Sequence, residues 1–177
     1  WEPGSGTTIM AYAGICFSQN LQAHSDDLFH AGSIAKINAY VADLTQEDGS
    51  ACGTSTATGN DAPTVNAAPD FTIPRLTPFT LTGTGSDPNG DALTFTWEEL
   101  DTGAAANNSL PNTDSDGNVR PIFRTQRPVA QPVRTFPALS SILSGANSNS
   151  GEALPAISRS MTFRLTARDG RGGVNDA

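Results

Sequence analysis

Two rhythms of apolar and polar residues run along this chain, and they change near residue 64. The second rhythm has a period of two. Phe79 and Leu81 alternate with Thr80 and Thr82, and Leu93, Phe95 and Trp97 alternate with Thr94, Thr96 and Glu98. Met161, Phe163, Leu165 and Ala167 alternate in the same way with Thr162, Arg164, Thr166 and Arg168. Successive side chains of a strand point to opposite faces, so this pattern predicts half-buried strands with the apolar set turned to a core. Ser86 to Asp91, SDPNGD, reads as a tight turn between the first two. Val65-Asn66-Ala67 and Phe71-Thr72-Ile73 supply a short first strand. Pro69, Pro74 and Pro78 suit edges, because proline has no N–H to give a central ladder. The stretch 65–177 is therefore expected to be mainly β, an immunoglobulin-like β-sandwich with Trp97 in its core.

Its middle, 100–158, is less regular. Ile122-Phe123 and Val133 to Phe136 read as short strands, Pro137 to Leu143 as a helical turn, and Ser144 to Ala153 as a mobile loop. Gly170 to Gly173 reads as a hairpin turn with Val174 beyond it. The chain stops at Ala177, so either the final strand is missing or the sandwich closes another way, leaving an exposed edge.

The first rhythm is helical. Ile34, Ile37 and Val41 recur at the spacing of one helix face, after the capping types Ser25, Asp26 and Asp27. A helix is expected from about Asp26 to Leu44, weakened only modestly by Gly32. Gly4 to Cys16 reads as a tight turn leading into a loop. A few turns of helix and a loop build no core alone, so this segment must pack on something. Small, polar residues 51–64 read as a linker.

Composition narrows the function classes. A net charge of -8 repels phosphate backbones, which argues against a nucleic-acid partner. No stretch is long and apolar enough to span a bilayer. Trp1 reads as a cut end, since no initiator Met or leader pattern precedes the turn. Cys16 and Cys52 either pair across their loop or stay as two free buried thiols.

Residues 3–52 resemble the end of a metzincin zinc-peptidase domain of the bacterial reprolysin-like kind. The likeness is carried by SGTTIMAYAGIC, Asn20-Leu21-Gln22, Ser25-Asp26 with Phe29-His30, then Ser33-Ile34 and Tyr40. The second half, with SDPNGDALTFTW, resembles the cadherin-like or PKD-like sandwiches that follow such domains. The resemblance implies a catalytic-domain fragment over 1–52, a linker over 53–64 and the sandwich over 65–177. It makes Met10 the floor under a zinc ion, where a polarisable thioether fills an irregular space. Tyr12 either faces that zinc through its phenol or packs behind the turn against Ile15. The resemblance also implies a secreted or extracytoplasmic setting, which favours a Cys16–Cys52 disulfide.

The zinc ligands themselves are not legible here. A metzincin needs HExxHxxGxxH, whereas this chain holds only His24 and His30, neither followed by Glu. The expected parent is a zinc-dependent endopeptidase acting on protein or peptide, with this fragment inactive alone. The alternative is a non-catalytic sandwich that binds protein or glycan or acts as a spacer. Oligomeric state is left open.

Other candidate sites are acidic or basic loops. Asp87, Asn89 and Asp91, joined by Asp169, offer hard oxygens to calcium at one end of the sandwich; an Asx-capped turn is the plainer reading. Asp114, Asp116 and Asn118 form a second acidic loop of the same type. Arg120, Arg124, Arg127 and Arg134 read as surface side chains snorkelling over short strands, or as a weak polyanion groove.

Overall fold

A computed structural model describes residues 1–43, 56–103, 113–145, 148–149, 151–172 and 174–176. Among these residues strand outweighs helix, and two three-stranded antiparallel sheets share one core. One sheet is built from β1 (Thr64–Ala67), β2 (Phe79–Ser86) and β4 (Val133–Phe136), in the order β1-β2-β4. The other is built from β3 (Thr94–Glu99), β7 (Phe163–Arg168) and β8 (Val174–Asp176), in the order β3-β7-β8. A ribbon of β5 (Ser148–Asn149) and β6 (Glu152–Ala153) completes the strands.

The alternation sets the register. Phe95 lies opposite Ala167 and Trp97 opposite Leu165, so the apolar set of both strands turns to one side. Phe79 pairs with Phe136 across the other sheet. Those rings stack at 5.0 Å, and Phe123 and Phe163 each approach Phe136 at 4.9 Å. Aromatic pairs in such geometry add to plain area burial. The sheets come closest at the glycines of β2, where a Cβ on Gly83 would lie 2.3 Å from Leu165 Cδ2.

The irregular middle is held by charge. Arg134 is buried and donates to the carbonyls of Trp97 and Arg124, each at 2.6 Å, and to Glu152 Oε1 at 2.8 Å. Glu152 also accepts from Gln126 Nε2 and the Ala138 N–H. Arg159 reaches Asp101, Glu99 at 3.5 Å and Asp114 at 3.4 Å. Ile122 and Phe123 lie between these hubs, and their N–H groups both donate to Glu99 Oε2 at 2.8 Å. These segments meet through only a short bridge, Phe123 to Glu152, so carboxylates and guanidinia satisfy backbone groups that the bridge leaves over.

Several expectations change. Phe71 to Ile73 is not a strand, and β1 alone opens the sheet. The helical turn expected within Pro137 to Leu143 is present as α2 (Leu139–Leu143). The expected mobile loop contains Glu152 and Ala153, both buried and pinned by Arg134 and the Phe123–Glu152 bridge; residues 146, 147 and 150 lie outside the described set. Arg134 and Arg120 do not snorkel, because their guanidinia are buried against Glu152 and Asp116. The disulfide is also corrected. Among the described residues there is none: Cys16 is a free thiol whose Sγ–H donates to the Tyr12 carbonyl at 3.4 Å, and Cys52 lies outside them.

The helix α1 (Ala31–Asp43) starts five residues later than its pattern suggested. Asp26 does not cap it, because its carboxylate pairs with Arg127 Nε at 2.6 Å. His30 caps it instead, with Nδ1 accepting from the Gly32 N–H at 3.0 Å. No helix among the described residues is long and apolar enough to cross a membrane.

Breaking the Arg134–Glu152 pair strands a charge in the core. Glu152→Ala is expected to cost about 3–5 kcal/mol in urea unfolding, while joint replacement of Arg134 by Met and Glu152 by Leu is expected to recover most of that loss.

Candidate functional site

The SGTT turn is a small, densely bonded structure. Gly6 adopts φ +64, and a Cβ there would meet Ala11 Cβ at 2.7 Å, so glycine is required. The Glu2 carboxylate accepts from the Thr7 N–H at 2.9 Å, Thr7 Oγ1 at 3.0 Å and Thr8 Oγ1 at 2.6 Å. Backbone bonds from Tyr12 N to Ser5 O and from Ser5 N to Gln19 O, both 2.8 Å, close the loop. Thr7 and Thr8 are thus the buried anchors of the motif. Met10 and Tyr12 point the other way and are 63% and 66% exposed. Tyr12 therefore does not pack behind the turn, and Ile15 is itself exposed. Between turn and helix lies an open depression of about 390 Å³, lined among others by Trp1, Met10, Tyr12, His30, Lys36 and Ile37. Ile37 of α1 borders the same depression as Met10 and Tyr12 and is exposed, as are Tyr40 and Val41.

The turn-bearing segment is seated on the outer face of the β3-β7-β8 sheet. Glu98 Oε1 accepts from the Ala31 N–H at 3.2 Å, and Oε2 accepts from Thr166 Oγ1 at 2.7 Å. Arg168 donates to the Phe29 carbonyl at 2.9 Å, and the single Thr7 Oγ1 proton is shared between Glu2 and the Thr125 carbonyl, each 3.0 Å away. The Asp26–Arg127 and Gln22–Arg124 contacts complete this joint. A shallow recess of about 360 Å³ lies there, with Gln22, Arg124, Gln126 and Arg127 on its wall. The expected polyanion groove is not formed, because three of the four arginines are paired with Asp116, Asp26 and Glu152.

Burial shifts three titratable groups strongly. It pushes Glu98 up to about 7, against the opposing pull of Arg168, Thr166 and the Ala31 N–H. It pushes Glu99 up to about 8, helped by the charge of Asp101. Three carboxylates, Glu99, Asp101 and Asp114, crowd one Arg159 guanidinium, so one charge cannot balance them all. Burial lowers His30 to about 4, where its ring stacks on Trp1 at 5.7 Å.

The described residues do not fit a zinc site. His30 Nδ1 is spent on the helix cap, its Nε2 is buried without a well-formed hydrogen bond, and His24 is exposed. No group of three His, Cys, Asp or Glu among the described residues is arranged to hold a metal. The acidic turn does gather at one end of the strands. Asp87 Oδ1 accepts from the N–H groups of Asn89 at 2.8 Å and Asp91 at 3.0 Å. Asn89 Oδ1 accepts from the Asp61 N–H, and Arg171 Nε reaches Asp91 at 3.3 Å. Asp169 accepts from Asn60 Nδ2 and the Arg171 N–H, both at 2.7 Å. Asp87 Oδ2 alone is buried without a partner. The second acidic loop divides: Asp114 is fully buried against the Ala156 N–H and Arg159, whereas Asp116 binds Asn118 and Arg120.

Sequence reading missed Glu98, Glu99 and Arg159 as a group. Glu98 stood at a position of the outer face, which looked solvated; only the docking of residues 28–31 buries it. The adjacent pair Glu98-Glu99 at the end of a strong strand was the available signal, since it puts a carboxylate on each face. The chain matches no family model, no curated protein and no solved structure.

The raised Glu99 has a definite sign in stability. Its proton is held in the folded state and lost in the unfolded state above the ordinary value of 4.5, so stability falls as pH rises from there to about 8. Chemical unfolding at stepped pH is expected to show this decline, and Glu99→Gln is expected to remove the part between pH 7 and 8, above the values of Glu98 and His30.

Proposed function

We propose that residues 1–52 form the closing piece of a metzincin-type catalytic domain in a secreted or extracytoplasmic zinc endopeptidase. Behind it, 65–177 forms an immunoglobulin-like, PKD-like β-sandwich. The observation that carries the reading is the exposure of Met10 on a turn held by backbone bonds from Ser5, Gly6, Ile9, Ala11 and Tyr12. A rigid turn rarely presents an unbranched thioether among Ile9, Tyr12 and Ile37 without a further element to cover it. The sheet orders β1-β2-β4 and β3-β7-β8 support the second half. They correspond to the A-B-E and C-F-G arrangement of immunoglobulin sandwiches, with Trp97 on the third strand.

In this reading the zinc ligands and the glutamate base come from outside these 177 residues. Zinc, where bound, would activate water for peptide hydrolysis. The task of this chain is to hold the floor: Glu2 fixes Thr7 and Thr8, those fix the turn, and the turn fixes Met10. An in-frame HExxHxxGxxH immediately upstream of Trp1 is expected. Joined to that segment, Met10 is expected to resist peroxide oxidation that it undergoes readily in the 177-residue chain. An intact upstream frame without the motif, or equal oxidation in both forms, rejects the assignment.

One observation favours a second reading, a non-catalytic module that binds protein or glycan, or spaces domains, with calcium support. The orphaned Asp87 Oδ2 lies in the turn that also holds Asn89 and Asp91, tied through Arg171 to Asp169. As arranged these oxygens do not form a calcium cage, because Arg171 occupies Asp91 and Asp169 is already bonded. Calcium would have to displace that guanidinium. Under this reading the melting temperature is expected to rise with added calcium and to fall back in EDTA; an unchanged value assigns the turn to Arg171 alone.

A further inference from the structure

The N-terminus of α1 is capped twice, once from each side of the joint. His30, from the turn-bearing segment, accepts the Gly32 N–H through Nδ1 at 3.0 Å. Glu98, from β3, accepts the Ala31 N–H through Oε1 at 3.2 Å. Both side chains are almost wholly buried by the seating of the segment on the sheet. We infer that these two residues form a proton-compensated pair, a neutral imidazole and a protonated carboxyl, which keeps the turn-bearing segment seated from mildly acidic to neutral pH.

The His30 half follows from hydrogen-bond geometry, and the Glu98 half from complete burial of a carboxyl that faces Arg168 only at 4.0 Å. An imidazole that accepts at Nδ1 must be unprotonated there; a second proton would set one N–H against the Gly32 N–H and break the cap. Acid therefore loosens the joint through His30. Glu98 works in the opposite sense. Its stabilising neighbours Thr166 and Arg168, the latter at 4.0 Å, belong to the same sheet and remain when the segment leaves. Seating adds one N–H, the negative charge of Glu2 and the removal of water. The balance of those three favours the neutral carboxyl, so alkali loosens the joint through Glu98.

The surrounding charges fit this division. Glu98 faces Arg168 and lies opposite Arg164 in register on β7, with Glu2 and the start of α1 above it. His30 faces Glu2, the amino group of Trp1, Arg168 and the backbone of Glu99, and Lys36 lies over the Trp1 ring that stacks on it. Burial lowers the imidazole to about 4 and raises the carboxyl to about 7. From their ordinary values of 6.5 and 4.5, the two groups shift by similar amounts in opposite directions. Between those limits, each step that weakens one contact strengthens the other.

Amide hydrogen exchange on the full 177-residue chain tests the pair, with rates corrected for the intrinsic effect of pH. Protection of the Leu28 to Lys36 amides is read relative to that of β3 and β7, at about pH 5 and about pH 7.5. In the unmodified protein the relative protection is expected to change by less than about fivefold. Glu98→Gln, whose amide can still accept from Ala31 and donate to Thr166, is expected to lose about tenfold or more at the acid end. His30→Asn, a competent helix cap, is expected to lose a similar factor at the alkaline end, and the double variant is expected to be flat again. The inference is overturned if either single variant is as flat as the unmodified protein, or if the unmodified protein slopes as steeply as a single variant. Should His30→Asn fail to fold, the Glu98→Gln comparison decides alone.

Discussion

Arg134 donates to the Trp97 carbonyl, the Arg124 carbonyl and the Glu152 carboxylate from a position almost wholly out of water. Three separate parts of the chain meet on that one guanidinium: strand β3, the strandless run around Phe123, and the short ribbon at Glu152. The latter two pair with each other only briefly, Arg124 N–H to the Gly151 carbonyl and Ala153 N–H to the Ile122 carbonyl, so side chains must satisfy part of their backbone. A planar donor with five N–H groups can serve several such acceptors at once, which a lysine cannot. The energetic consequence is asymmetric. Buried ion pairs add little net stability over an apolar replacement, but losing one partner leaves a charge stranded. The fold is thus specified at this point more than it is strengthened.

The same economy recurs at Arg159, where Glu99, Asp101 and Asp114 share one cation. Burial pushes Glu99 up to about 8, with the charge of Asp101 adding to it, and on the other face of the same strand burial pushes Glu98 up to about 7. An acidic protein with few bases has limited means of neutralising buried carboxylates, and protonation is the cheapest one available.

The turn that carries Met10 inherits its position from this sheet. Glu2 organises Thr7 and Thr8, Thr7 reaches Thr125, and Glu98 meets the start of α1. The β3-β7-β8 sheet and the turn are therefore joined through specific bonds. In a peptidase this joint would give an accessory module a direct hold on the floor of the catalytic site, without any substrate contact of its own.

Much of the β framework was legible from alternation alone. Phe79 with Leu81, Phe95 with Trp97, and Leu165 with Ala167 announced their strands because period two is imposed by backbone geometry, whatever the neighbours. The short strand at Val133 to Phe136 lies in a region of weak periodicity, and its inward set is Arg134 with Phe136. The helix was legible as an element but not at its start: one cap is His30, which stands directly before it but is not one of the usual capping types, and the other is a carboxyl from a distant strand. The candidate site divided likewise. Sequence marked out the Met10 turn by its glycines and threonines, and the SDPNGD turn by its Asx pattern. Only the tertiary structure decided that Met10 and Tyr12 face outward, that Cys16 stays a free thiol, and that Glu98, Glu99, Arg134 and Arg159 are interior. Alternation assigns a residue to a face, but whether that face meets water or another segment depends on contacts between residues far apart in the chain, and no local pattern encodes them.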